Sequence, residues 1–377
     1  MPDFASGPGP VPAPAAGRPA GRTFTVDSGS ATLVRGDALE AYSTWPTPAT
    51  IVSDGAYGVG GFPGDPREVE ELPAWYEPHV AAWDAHAHLS TTLWFWNTEI
   101  GWATVHPLLT RYGFEYVETI VWDKGIGHVA GNVNGRTIRQ FPVVTEVCAL
   151  YRRKPQVDTA GGRMSIRDWL SHEWRRAGLP LSAANTACGV KNAATRKYLT
   201  RDWLWYWPPP EMMARLVGYA NEHGPGEGAP YFSLDGAAPV TEAEWASFRS
   251  VWRHRHGVTN VWSLPPLHGK ERYKGNGVPS APRTHSRGRN AAAHLNQKPL
   301  KFMRRTLRAS TRRSDIVWEP FGGLCSAAVA ALGLDRRAFA AESVPRFADL
   351  AEDRLRRTAE SLKQSLFHRS SGDTNST

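Results

Sequence analysis

A chain of 377 residues that is 41% hydrophobic and carries 16 tryptophans has the material for a full core, and its length allows two or three structural units. No stretch approaches the roughly 20 apolar residues of a membrane span, and the N-terminus lacks the basic start and apolar core of a secretory signal. The formal net charge of +8 favours a polyanionic partner.

Residues 1 to about 22 are dominated by Pro, Ala and Gly and read as a disordered tail. Ala31–Asp37 reads as a strand ending in a turn, Ala38–Tyr42 as a short helix, and Ala49–Ser53 as a buried strand leading into Asp54. The glycine-rich stretch Gly58–Gly64 has no Gly-Lys-Ser/Thr to make it a phosphate loop, and it reads as a mobile lid. Next come a helix around Pro78–His88, a strand at Thr91–Trp96, a helix at Trp102–Gly113, and strands at Tyr116–Trp122 and Val143–Tyr151. Strands alternating with helices imply an α/β fold with a mostly parallel sheet, of which residues 23–155 supply the first half.

After Lys154-Pro155 the pattern changes, and residues 156–293 read as a helical, loop-rich insert. Short helices are expected at Ile166–Ala177, Ser182–Cys188 and Asn192–Leu199. The turn Gly189-Val190 resembles that of a helix-turn-helix unit, which would place Lys191, Asn192, Thr195, Arg196 and Lys197 on a helix meant for the DNA major groove. There Asn and Arg could read base edges while the lysines hold phosphate. A small bundle with a solvated basic face is the plainer alternative. His268–Lys274 and Arg283–Arg289 suit either a backbone-tracking groove or a disordered basic loop. Trp203, Trp205 and Trp207 read as core.

The strand–helix pattern returns at Gln297, and residues 294–361 form the second half of the α/β domain. Its elements are a helix (Leu300–Ser310), a strand (Asp315–Trp318), a helix (Ser326–Leu332), a strand (Ala338–Glu342) and a last helix (Pro345–Ser361). Residues 362–377 read as a second tail. Cys148, Cys188 and Cys325 have neither a zinc spacing nor a disulfide pattern, which suggests a reduced cytoplasm and no metal. None of the three follows a proline, as the nucleophile of a cytosine-C5 enzyme typically does. Cys325 reads as a small buried thiol.

Two segments carry the chemistry. Ser53-Asp54-Gly55-Ala56-Tyr57-Gly58 sets an acid and an aromatic ring at a strand end. Asp315-Ile316-Val317-Trp318-Glu319-Pro320-Phe321-Gly322-Gly323 runs from a strand into a glycine turn, with Glu342 on the following strand. With His294–Leu300 as lead-in and Gly36-Asp37 as the turn before the catalytic strand, this arrangement resembles the S-adenosylmethionine-dependent DNA amino-methyltransferases of permuted, beta-type order. The resemblance covers roughly residues 30 to 360 and implies a Rossmann-like methyltransferase whose insert reads double-stranded DNA.

It further implies catalysis by Asp54, Gly55 and Tyr57, and cofactor binding by Asp37, Lys298, Pro299, Glu319, Phe321, Gly322, Gly323 and Glu342. The amino nitrogen of adenine or cytosine is a poor nucleophile, because its lone pair is delocalised into the ring. Asp54 and the Gly55 carbonyl could accept its protons, while Tyr57 stacks on a base turned out of the duplex. Asp leans the expectation towards adenine N6 over cytosine N4. A restriction-modification role would add a cognate restriction endonuclease as partner. Here Gly55-Ala56 stands where the family has Pro-Pro, which predicts a looser segment, and Cys325 stands where it usually has a glycine. A DNA-binding protein with a degenerate methyltransferase core and an RNA methyltransferase are the competing readings.

Overall fold

A computed structural model describes residues 21–127, 134–159, 162–200, 203–226, 228–267, 271–273 and 296–372. The basic stretch 283–289, most of 268–274, and His294 and Leu295 of the lead-in lie outside these residues.

Buried, β-branched and aromatic runs build the strands. Taken in chain order they are β1 (Arg22–Val26), β2 (Gly29–Arg35), β3 (Thr50–Ser53), β4 (Thr92–Asn97), β5 (Phe114–Asp123) and β6 (Thr145–Arg153), then a separate hairpin of β7 (Gln156–Thr159) and β8 (Gly162–Ser165), and finally β9 (Val261–Ser263), β10 (Ile316–Glu319) and β11 (Arg337–Glu342). All but the hairpin form one nine-stranded sheet in the order β1-β2-β11-β10-β3-β4-β6-β5-β9. The pairings make every strand of it parallel except β1 and β6. β3 and β4 are buried at every position, as strands covered on both faces must be.

Helices cover the two faces. Helices α1 (Ala38–Ala41), α2 (Leu72–His86) and α3 (Glu99–Arg111) pack on one side, where Tyr42, Trp83, Phe95 and Trp318 form the core. Helices α8 (Leu300–Ser310), α9 (Ser326–Leu332) and α10 (Pro345–Gly372) lie on the other, around Trp94, Trp96, Phe302 and the alanines of α9. From the centre of the sheet the chain runs β3 to β4 in one direction and β10 to β11 in the other. The order therefore reverses between β3 and β10, where an open α/β sheet leaves a crevice beyond its strand ends.

The insert has a core of its own. Helices α4 (Ile166–Arg176), α5 (Ala183–Cys188), α6 (Pro210–His223) and α7 (Glu242–Ser247) enclose Trp169, Trp174, Phe232 and Trp245. Among the described residues no helix is long and apolar enough to cross a membrane.

Four expected boundaries move. Arg22 belongs to β1, because Phe24 and Val26 turn inward and a two-residue turn through Asp27 (φ 48°) returns the chain antiparallel onto β2. Residues 261–263, assigned to the insert, close the main sheet as β9, drawn in by the buried Trp262 against Phe302 at 5.0 Å. The terminal helix continues past Ser361 to Gly372, with Leu362 resting on the core. The expected third insert helix is only a turn of π-helix, Thr195–Leu199.

Candidate active site

β3 ends at Ser53, so Asp54 leaves the sheet at the crevice. The same crevice, with a volume of about 210 Å³, is lined by Asp37, Gly55, Tyr57, Lys298, Glu319, Phe321, Gly322, Gly323 and Glu342. The two motif halves, more than half the chain apart in sequence, thus meet at one place. Pro299, also expected there, is not among the lining residues and is the N-cap of α8.

A buried ionic cluster holds the catalytic segment. The Lys298 Nζ lies 2.7 Å from Asp54 Oδ1, 2.9 Å from Glu146 Oε1 and 3.0 Å from the Tyr57 hydroxyl, so its three protons meet three acceptors. Lys124 completes the set at 2.8 Å from Glu146 Oε2, leaving two acids and two bases in balance. The Tyr57 hydroxyl is 2.9 Å from Asp54 Oδ1 and 2.6 Å from Glu146 Oε1, and its one proton serves either carboxylate. Asp54 Oδ2 has no hydrogen-bond partner among the described residues.

The charges set the titrations. Burial pushes the Asp54 carboxyl above its ordinary value, against the pull of Lys298. Burial also acts to raise Glu146, but Lys298 and Lys124 hold it down at about 2. Burial would lower Lys298, yet Asp54 and Glu146 keep it above its usual value. The Tyr57 phenol is raised by burial and by Asp54, so it stays a donor.

The Gly55-Ala56 pair is tight, not loose. A Cβ on Gly55 would stand 2.6 Å from the Phe321 ring and 2.8 Å from the Tyr76 hydroxyl, so a proline there would collide with the cofactor half. The Ala56 carbonyl accepts from Asn97 Nδ2 at 2.8 Å and Tyr76 at 3.0 Å. The glycine-rich stretch that follows is not the free lid expected of it. Asp65 gathers the amides of Tyr57, Gly58, Val59 and Gly61 at 2.8–3.3 Å, as a short carboxylate does when it closes a turn. Phe62, Pro63 and Gly64 still border the crevice.

On the other half, each Glu319 oxygen accepts an amide at the start of α9, Ala327 at 2.9 Å and Ala328 at 2.7 Å. Burial nonetheless pushes this carboxyl up to about 8. Its observed partners are therefore the helix it caps. Gly323 takes φ +52° and donates its amide to Glu342 Oε2 at 2.6 Å, while Glu342 Oε1 accepts from Val344 at 2.7 Å. Cys325 replaces the family glycine yet holds φ +53°, and its thiol is fully buried. Asp37 caps α1 by accepting from Leu39 at 2.9 Å. Phe321 packs among Trp75, Tyr76 and His79 with ring centres 4.8–6.0 Å apart.

The expected DNA-reading residues are elsewhere, on the insert. Lys191 and Asn192 precede the short helical turn and do not lie on it, while Arg196 and Lys197 on it are exposed. Thr195 is spent locally, its hydroxyl on the Leu181 carbonyl at 2.6 Å and its amide on Asn185 Oδ1 at 3.2 Å. Asn185, at the place of the usual small residue, is what caps that turn. Of the tryptophans expected in the core, Trp203 is 89% exposed, whereas Trp205 and Trp207 pack on the insert core.

Sequence reasoning missed Glu146, Lys124 and Asp65. A glutamate inside the apolar run Val143–Tyr151 was the available signal for the first, since an unpaired carboxylate is rarely buried.

The site and the fold define a class, and comparison with known proteins gives the same one. The pattern of the DNA methylase family, of N6/N4 type, matches residues 49–353, and the chain belongs to that family. The type II methyltransferase M.HinfI of Haemophilus influenzae is 31% identical over 97 residues, 26% of this chain and 24% of that protein. The chain thus matches about a quarter of the length of this curated relative. Two solved structures resemble the chain at low identity. The M1.HpyAVI–SAM complex is 13% identical, covering 86% of this chain and 98% of the other with a TM-score of 0.44. The cytosine-N4-specific PvuII DNA methyltransferase is 11% identical, covering 90% and 94% with a TM-score of 0.45.

Proposed function

We propose that this chain is an S-adenosylmethionine-dependent DNA methyltransferase that acts on an exocyclic amino group of an everted base, adenine N6 in preference to cytosine N4, within a restriction-modification system. One observation carries the reading: Asp54 and the Gly322-Gly323 turn, with Glu342 beyond it, line a single crevice at the reversal point of the sheet.

The lining suits the cofactor by its chemistry. Glu342, oriented by two backbone amides, keeps lone pairs for ribose hydroxyls. Phe321 offers a ring face to a purine, with Asp37 across the crevice, and the glycine turn admits close backbone approach. When bound, S-adenosylmethionine supplies an electrophilic methyl group on a sulfonium.

The protein's own work is on the nucleophile. Asp54 Oδ1 is anchored by Lys298 and Tyr57, which leaves Oδ2 to accept one amino proton and the Gly55 carbonyl to accept another. Drawing both protons away localises the nitrogen lone pair, and Asp54 is placed to take the proton that the methylated nitrogen sheds. Tyr57, its hydroxyl fixed, presents its ring to the base. Glu146 and Lys298 position these groups and touch no substrate. The exposed Arg196 and Lys197, with Lys191 and Asn192 before them, are the insert's candidates for DNA contact.

Methyl transfer from labelled S-adenosylmethionine to duplex DNA tests the proposal. Asp54→Ala should lose transfer by at least about a hundredfold while cofactor binding stays intact. Full activity in that variant would refute the role of Asp54. Sequencing the modified DNA for N6-methyladenine against N4-methylcytosine decides the base.

A further inference from the structure

A second hollow lies on the α8 face of the sheet, between that helix and residues 252–260 leading into β9. Its charge is one-sided. Arg253, Arg255, Lys301, Arg305 and Arg308 line it, and the single carboxylate among the lining residues is Glu118. No ion pair involves any of the five cations among the described residues. The wall that carries them is fixed in place. The Arg253 amide donates to the Ala309 carbonyl at 2.8 Å, Trp252 stacks on Trp94 at 6.4 Å, and Trp262 holds the Arg305 guanidinium at 4.7 Å.

Like charges held this close cost stability unless an anion relieves them. Burial, and after it the neighbouring Arg255, lower the Arg305 guanidinium from its usual value. Lys301, Arg305 and Arg308 sit at i, i+4 and i+7 on one helical face, a span of about 10 Å. A row of that length is enough to meet successive phosphates of one strand. The row also starts next to the active site, since Lys298 of the ionic cluster precedes Lys301 by less than one helical turn.

We propose that this hollow binds the sugar-phosphate backbone of the substrate duplex where it runs on from the crevice, well away from the target base. The inference rests on the DNA-methylating reading and adds to it a contact outside the insert. Such a contact is blind to sequence: it supplies affinity and salt dependence, not site choice.

Equilibrium binding and methyl transfer with the full chain test it, comparing a duplex of about 40 base pairs with one trimmed to about 12 around the target base. The double variant Arg255→Ala/Arg308→Ala changes exposed side chains only. On the long duplex it should raise Kd and KM about tenfold or more and reduce the slope of log Kd against log salt by about 1.8, two contacts at about 0.9 each. On the short duplex, and in kcat at saturating DNA, it should match the parent chain. An unchanged Kd and slope on the long duplex would overturn the proposal. So would a single saturable pyrophosphate site that is lost in the variant while long-duplex affinity is kept, since that would assign a small anion. Binding is read without methyl transfer. A chain that held long DNA through this hollow yet moved no methyl would refute the catalytic reading and leave the hollow standing.

Discussion

Asp54 is tuned by two opposed forces, and the balance is testable. Burial raises its carboxyl and Lys298 lowers it, with burial prevailing. The working form is ionised, so activity is present above the folded value and lost as pH falls through it. The acid limb of kcat/KM should therefore lie above the ordinary aspartate value of about 3.9. Lys298→Gln removes the lowering charge, so the limb should move to higher pH, and a limb that stays put would show that another group sets it. Gly55→Ala makes a different prediction. A methyl group 2.6 Å from the Phe321 ring forces a shift, and overpacking of this kind costs about 1–3 kcal/mol. Denaturant unfolding should show that loss, together with a fall in kcat. The motif residues themselves could be read from the sequence, because acid, ring and glycine turn are local patterns. Their ionic pairing could not, because Glu146 lies on β6 and comes near Asp54 only once β4 has brought the strands together.

At the level of elements, the deeply buried segments were legible and the exposed short ones were not. β3, β4, α8, α9 and β11 fall within a few residues of expectation, since each is rich in buried apolar positions. The hairpin β7–β8 and strand β1 were invisible, being four or five residues long with few buried positions. The loop after Tyr57 was misread because glycines signal freedom, while the residue that removes it, Asp65, lies beyond them. Asp65→Ala should leave four amides without their acceptor, destabilise the chain by about 1–3 kcal/mol and speed amide exchange at residues 57–61. Exchange at the parent rate would show that the carboxylate is not what holds the loop.

Across the whole molecule, the aromatic wall behind the crevice links the site to global stability. His79 on α2 is buried against Trp75, Trp83 and Phe321, and burial lowers its pKa to about 4. Between about 6.5 and 4 the unfolded chain binds the proton that the folded chain refuses, so stability falls as pH falls through that window. The full effect is roughly 3 kcal/mol, and His79→Asn should flatten that part of the profile in thermal unfolding. The order of the two halves was legible because each motif carries its own local pattern, although the sheet sets β11 and β10 between β2 and β3. The separate core of the insert was not, since Trp169 and Trp174 on α4 meet Phe232 and Trp245 only once distant segments fold together. Phe321 has one more consequence. Its ring fills the space that a stiffening proline at position 55 would need, so the two positions can change only as a pair. Grafting the commoner Pro-Pro segment onto this scaffold would demand a trimmed residue 321, and with it the surrender of the hydrophobic panel against which a purine could lie.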